Sequence, residues 1–163
     1  MVRRVLSFLV LRFYSARVIP TWWRMRLLRL IGVECGPGAF MAPHTYIGSA
    51  KLVMGEKSFV NAGCILDTFE WIRIGARVHL GHGVRIITSS HQIGGSENRA
   101  GSMNAAPVVI EDGAWLGAAC MVLPGVTIGA GCVIGAGALV TKDTEPNMLY
   151  IGIPARAVRA LDV

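Results

Sequence analysis

Few side chains in this sequence could move a proton or hold an anion. Four histidines, His44, His79, His82 and His91, carry the only imidazoles. Imidazole has a reference pKa of about 6.5, so it can take up and return a proton near neutrality. His91 stands apart because of its setting. It lies in Thr88-Ser-Ser-His-Gln-Ile-Gly94, just past a regular apolar pattern and at the root of a polar stretch that lacks it. Trp115 precedes an aliphatic at a core position, so it points outward, and a bare tryptophan on a flat surface needs a reason. The adjoining Gly117 and Ala118 are small enough to let a long, thin ligand approach the backbone. Near the C-terminus, Arg156 and Arg159 offer planar forks of donors suited to phosphate. Asn61 is suited to a corner that needs unusual backbone angles, and Asp67 to capping a turn.

A repeat of six positions these residues. From Ile110, every sixth residue is aliphatic: Ile110, Leu116, Val122, Ile128, Ile134 and Val140. Gly117, Gly129 and Gly135 follow three of them, and Ala114, Cys120, Val126, Cys132 and Ala138 lie two residues before the later ones. The same frame joins Ile74, Leu80 and Ile86. An earlier series is read as Ile47, Val53, Phe59 and Ile65, with about three extra residues near Asp67–Arg73. Six fits neither a helix nor simple alternation. It fits a solenoid of flat faces, each a short strand with its aliphatic inward, and each corner a turn. No coil buries its apolar side alone, so several must stack. The stretch 88–106 is polar and reads as a loop leaving the coil.

These repeats and segments resemble the hexapeptide-repeat acyltransferases, in the branch of maltose, galactoside and nodulation-factor O-acetyltransferases. The resemblance spans about residues 32–160. It implies an all-β solenoid, a left-handed parallel β-helix with three hexads per coil, and a homotrimer with sites between adjacent subunits. By the same resemblance His91 is the general base and Asn61 contacts the acceptor hydroxyl. Asp67 matches a polar acceptor-binding position, in a segment one residue shorter than the common form. Trp115 lines the acceptor and thioester site. A backbone N–H at Gly117-Ala118 faces the thioester oxygen, and Ala136 contacts pantetheine through its main chain. Thr141 and Lys142 match the region near adenine and phosphates, and Gly152-Ile-Pro-Ala-Arg-Ala-Val-Arg159 the closing segment. The reaction implied is acetyl transfer from acetyl-CoA to a hydroxyl by direct attack, without a metal.

Length and charge bound the rest. A chain of 163 residues suits one domain. Net charge is +6, yet residues 1–31 hold seven arginines and no acid. The remaining body is nearly neutral, which argues against nucleic-acid binding. Residues 2–18 and 21–31 read as two helices broken at Pro20, a segment apart from the domain over 32–163. Arginine beside tryptophan suits a peripheral membrane contact, and packing on the body or on another subunit is the plainer alternative. No run is long enough to span a bilayer. Four cysteines without a CxxC pair read as buried free thiols in a reducing, cytoplasmic setting, with the inner membrane face as a further option. The soluble sugar enzymes of the family carry an acceptor-binding aspartate in their N-terminal helices. Residues 1–31 contain none, which favours a lipid-linked or cell-envelope glycan as acceptor. Two other readings use the same fold: a non-catalytic scaffold, and a zinc carbonic anhydrase drawing on His79, His82 and His91, whose spacing does not match that family's pair.

Overall fold

The computed structural model describes Val10 and residues 19–162. The helix expected over 2–18 therefore lies outside the described residues, Val10 excepted. The second expected helix is α1 (Thr21–Leu30). It starts at Pro20, whose carbonyl accepts from Trp23 N and Arg24 N, and it ends at Gly32 with φ 101°.

The chain then winds into three-sided coils. The first holds β1 (Glu34–Cys35), β2 (Phe40–Met41) and β3 (Tyr46–Ile47). The second holds β4 (Leu52–Met54), β5 (Phe59–Val60) and β6 (Ile65–Asp67). The third holds β7 (Ile72–Ile74), β8 (His79–Leu80) and β9 (Arg85–Ile87). The coil is then interrupted by an antiparallel hairpin, β10 (Ser89–Ile93) and β11 (Ala100–Ala105). It resumes with β12 (Val108–Ile110), β13 (Trp115–Leu116) and β14 (Met121–Val122), then β15 (Thr127–Ile128), β16 (Val133–Ile134) and β17 (Leu139–Val140). A partial last coil gives β18 (Met148–Ile151), against which β19 (Arg156–Ala160) runs antiparallel.

Three parallel sheets result, one per face. The first face stacks β1, β4, β7, β12 and β15. The second stacks β2, β5, β8, β13, β16 and β18, with β19 at its edge. The third stacks β3, β6, β9, β14 and β17. Inward aliphatics fill the bore: Ile74, Leu80, Ile86, Ile110, Leu116, Val122, Ile128, Ile134 and Val140 are all buried. The residues two before them, Ala114, Cys120, Val126, Cys132 and Ala138, are buried at the corners. Each coil supplies only a few apolar groups, so burial depends on the neighbouring coils.

The early coils correct the sequence frame by one residue. Val53, Phe59 and Ile65 point outward, and the inward positions are Met54, Val60 and Leu66. The shift enters between Ile47 and Leu52. The polar stretch at 88–106 leaves the coil as an antiparallel hairpin.

Helix α1 packs on the first coil. Arg24, Met25, Leu28 and Ile31 are buried, and the helix contacts β1 and β2. Its other face exposes Trp22, Trp23 and Leu30, with the Arg26 guanidinium 5.2 Å from the Trp22 ring. No described helix is long and apolar enough to cross a membrane.

Candidate active site

The expected residues fall into three groups. The first runs along the corner between the second and third faces. Four successive coils place there Asn61-Ala62-Gly63, Gly81-His82-Gly83, Gly117-Ala118-Ala119 and Gly135-Ala136-Gly137. Backbone bonds tie them together: Gly83 N to Ala62 O at 3.1 Å, Ala119 N to His82 O at 2.8 Å, and Gly137 N to Ala118 O at 2.8 Å. Here glycine answers a close approach. A Cβ on Gly117 would lie 2.6 Å from Ala136 N, and one on Gly81 would lie 2.7 Å from Ala118 N. Apart from Asn61 and the exposed His82, the corner therefore presents main chain and small side chains to solvent, with Ala118 and Ala136 exposed. Such an edge can take a thin acyl or pantetheine chain against its backbone. The Asn61 side-chain oxygen accepts from Ala62 N at 2.8 Å, which leaves its amide group as donor.

Trp115 stands beside this corner, on the second face. It is 56% exposed, so the outward reading holds. It continues an outward ladder whose register is Phe40, Phe59, His79, Trp115 and Val133. The Phe40 and Phe59 rings stack at 5.1 Å, and His79 lies 5.9 Å from Phe59.

The second group sits at the other end of the third face. His91 is exposed on β10, opposite Met103 of β11. Its Nδ1 lies 3.0 Å from the carbonyl oxygen of Gly101. A carbonyl only accepts, so Nδ1 carries the proton and Nε2 keeps its lone pair for base chemistry. Gly101 had no signal in the sequence, because only the hairpin register brings it to His91. Asp67 ends β6 one coil earlier. Its Oδ2 accepts from Thr88 N at 3.2 Å, Ser89 N at 3.1 Å and Ser89 Oγ at 2.6 Å.

The third group lies at the C-terminal end. Lys142 and Arg156 line a cavity of about 340 Å³ with Val140, Asp143, Tyr150, Ala155 and Ala157. Thr141 is exposed next to Lys142. Arg159 is exposed on β19, opposite Leu149, and does not line this cavity. Asp143 and Tyr150 are cavity residues that the sequence reading did not single out.

Thus Asn61, Trp115, Gly117, Ala118 and Ala136 share one edge. His91 and Asp67 share another, and the third face separates the two within a chain. The described residues gather no group of three histidine, cysteine, aspartate or glutamate side chains fit to hold a metal. The thiols of Cys64 and Cys120 do not suit nucleophilic work. Burial pushes Cys64 up to about 11 and Cys120 up to about 12, the latter with a smaller contribution from Cys64.

Known proteins bear the same architecture. The profile of the bacterial transferase hexapeptide, six repeats, matches residues 107–142. A galactoside O-acetyltransferase of Lactococcus lactis is 33% identical over 153 residues, which cover 93% of this chain and 74% of that protein. A Schizosaccharomyces pombe protein named as an acetyltransferase is 43% identical over 108 residues, 66% of this chain. The match spans about half of that protein, 52% of its length. The crystal structure of a hexapeptide-repeat acetyltransferase from Vibrio cholerae, complexed with acetyl-coenzyme A, superimposes with a TM-score of 0.88 at 26% identity. The superposition covers 99% of this chain and 88% of that one. The fold is the left-handed parallel β-helix that the family resemblance implies. The chain belongs to the hexapeptide-repeat acetyltransferases.

Proposed function

From membership of this family, we propose that the protein is an acetyl-CoA-dependent O-acetyltransferase acting on a hydroxyl of a sugar or glycan. The observation that carries the reading is His91, exposed on a hairpin with Nδ1 committed to the Gly101 carbonyl. Relatives named for galactoside acetyl transfer, and a neighbour holding acetyl-coenzyme A, support the substrate classes.

The donor supplies a thioester-activated acetyl group. His91 Nε2 takes the proton of the acceptor hydroxyl as its oxygen attacks the acetyl carbon. The amide of Asn61 orients that hydroxyl, and Asp67 contacts the acceptor. A backbone N–H at the Gly117-Ala118 corner meets the negative charge that develops on the carbonyl oxygen. His91 then returns its proton to the departing thiolate sulfur, so no covalent enzyme intermediate forms. Trp115 flanks the acceptor and thioester. The main chain at Ala136 guides pantetheine. Thr141, Lys142, Arg156 and Arg159 hold the nucleotide end through charge and donor forks.

The active assembly is a homotrimer. Its warrant is the separation of His91 and Ala118 onto two corners of one chain, which a neighbouring copy would bridge. Light scattering at assay concentration is expected to give three times the chain mass of 17.5 kDa. A single-chain mass overturns this.

The acceptor is a lipid-linked or cell-envelope glycan, and the enzyme works in the cytoplasm at the inner membrane face. The exposed Trp22, Trp23 and Leu30 beside Arg26 and Arg29 support this. Flotation with anionic vesicles at low salt is expected to carry the full-length protein upward. Retention in the soluble fraction makes α1 a packing element and favours a free sugar or glycoside. Acetyl-CoA turnover against free and lipid-linked glycans tests the whole reading, and no turnover with any hydroxyl acceptor refutes it.

A further inference from the structure

We propose that Asp67 is a positioning residue for His91, acting through Ser89. This inference rests on His91 being the base. The hairpin of β10 and β11 leaves the solenoid at Thr88 and returns at Ala106, whose N–H donates to Thr88 O at 3.0 Å. Two strands standing alone are marginal in water, so their direction has to be imposed at the root. Asp67 imposes it. Its backbone is paired in the parallel ladder opposite Ile87, the last residue of β9. Its side chain reaches past the ladder's end, and three donors converge on one oxygen, Oδ2. These are the N–H groups of Thr88 and Ser89 and the Ser89 hydroxyl.

The rest of the root is as firmly tied. The buried Thr88 hydroxyl donates to Asp67 O at 2.5 Å and accepts from Glu70 N at 2.9 Å. Thr68, also buried, accepts from Ser49 N at 2.6 Å and donates to Ser49 O at 3.1 Å. The Ser49 hydroxyl donates to Thr68 O at 2.6 Å. Asp67 thus belongs to a fixed corner. Ser89 is two residues before His91, on the same face of β10 by strand alternation. The contact of a charged acceptor with the Ser89 hydroxyl is short and of the stronger kind. A base has to sit within a few tenths of an ångström of its reacting geometry, and displacement by about 1 Å can cost 10²-fold. Oδ1 takes none of the three bonds, so the carboxylate can hold the strand with one oxygen and meet the acceptor with the other.

The test is steady-state kinetics on the full chain with S89A, S89T, D67A, the D67A/S89A pair and H91A. S89A is expected to lower kcat about tenfold with acceptor KM within about twofold. S89T, which keeps the hydroxyl, is expected to restore most of kcat. The double variant is expected to have no lower kcat than D67A, because both changes cut the same link. Parent-like kcat in S89A overturns the proposal, as does a double variant whose losses multiply. A thermal melt accompanies each variant, and a fall in kcat that S89T does not rescue counts against the link. H91A separates the two ideas. If H91A keeps its turnover, the base assignment itself fails. If H91A is inactive while S89A is normal, only the positioning role fails.

Discussion

Two corners of the same solenoid are built from opposite materials. The corner at Asn61, Gly81, Gly117 and Gly135 carries few outward side chains, and coil meets coil chiefly through backbone, with Thr45 and Cys64 adding one hydrogen bond each from within. The corner at Ser49, Thr68 and Thr88 is laced by hydroxyls and one carboxylate, and it releases a hairpin. On the proposed function the difference is one of task. An edge that receives a slender ligand gains from losing side chains, since each would occupy the ligand's place or the next coil's. An edge that launches a strand into solvent needs directional bonds to aim it.

Removing the proposed base is the harshest way to separate chemistry from architecture. H91A is expected to lose about 10²–10⁴-fold in kcat, with little change in melting temperature, because His91 is exposed and its hydrogen bond to the Gly101 carbonyl lies within the hairpin. Turnover within threefold of the parent breaks the assignment of chemistry to the polar corner.

The bare corner is expected to fail in stability. In G117A the new Cβ meets Ala136 N at 2.6 Å, which is backbone and cannot swing aside. The expected loss is about 1–3 kcal/mol, or about 2–4 °C of melting temperature per kcal/mol. An unchanged melting curve would show that the coils have slack there.

Beneath the bare corner lie Cys64 and Cys120, whose thiols burial raises to about 11 and about 12. A raised thiol pKa means the folded state holds its proton more tightly than the unfolded chain. Their contribution to stability is complete below the ordinary thiol value of about 8.5. It drains as pH rises from there through the folded values. Unfolding free energy is therefore expected to fall more steeply above pH ~9 in the parent than in C64V/C120A. Val84 and Ala138 fill the matching corner positions in neighbouring coils, so the replacements suit the site. Equal slopes would mean that the thiols ionise freely in the fold.

The mildest effect is expected at Ala119. Its φ of 57° matches a column that His44 begins at 60° and Gly63, Gly83 and Gly137 share at 74°, 67° and 69°. Left-handed backbone costs a side-chain-bearing residue about 1 kcal/mol, partly offset by the greater freedom of glycine when unfolded. A119G is expected to raise the melting temperature by about 1–3 °C. A decrease would place a contact of the Ala119 methyl above its strain.

The later coils were legible because glycine follows the inward residue at Gly117, Gly129 and Gly135, which pins the frame. The early coils misled because outward positions are apolar too: Phe40, Phe59 and Ile65 look like core. Gly55, directly after Met54, marks the correct frame. Trp115 was readable as outward since its neighbour Leu116 sits in a pinned hexad. The Gly101 carbonyl beside His91 and the Ser89 link to Asp67 were not readable. Both arise from register within a hairpin and from contact across 22 residues, which no local pattern encodes.

The ends of the stack decide how such a molecule behaves in a crowded solution. A parallel β-helix is a ladder whose last rung could template another chain, rung upon rung, into a fibre. Here α1 lies against β1 and β2 at one end. At the other, β19 reverses direction and sets Arg156 and Arg159 along the outermost strand. Incoming strands of the same sense find neither a matching ladder nor a neutral edge. Axial growth is thereby discouraged, which leaves the sides of the solenoid as the surfaces through which the proposed trimer would close.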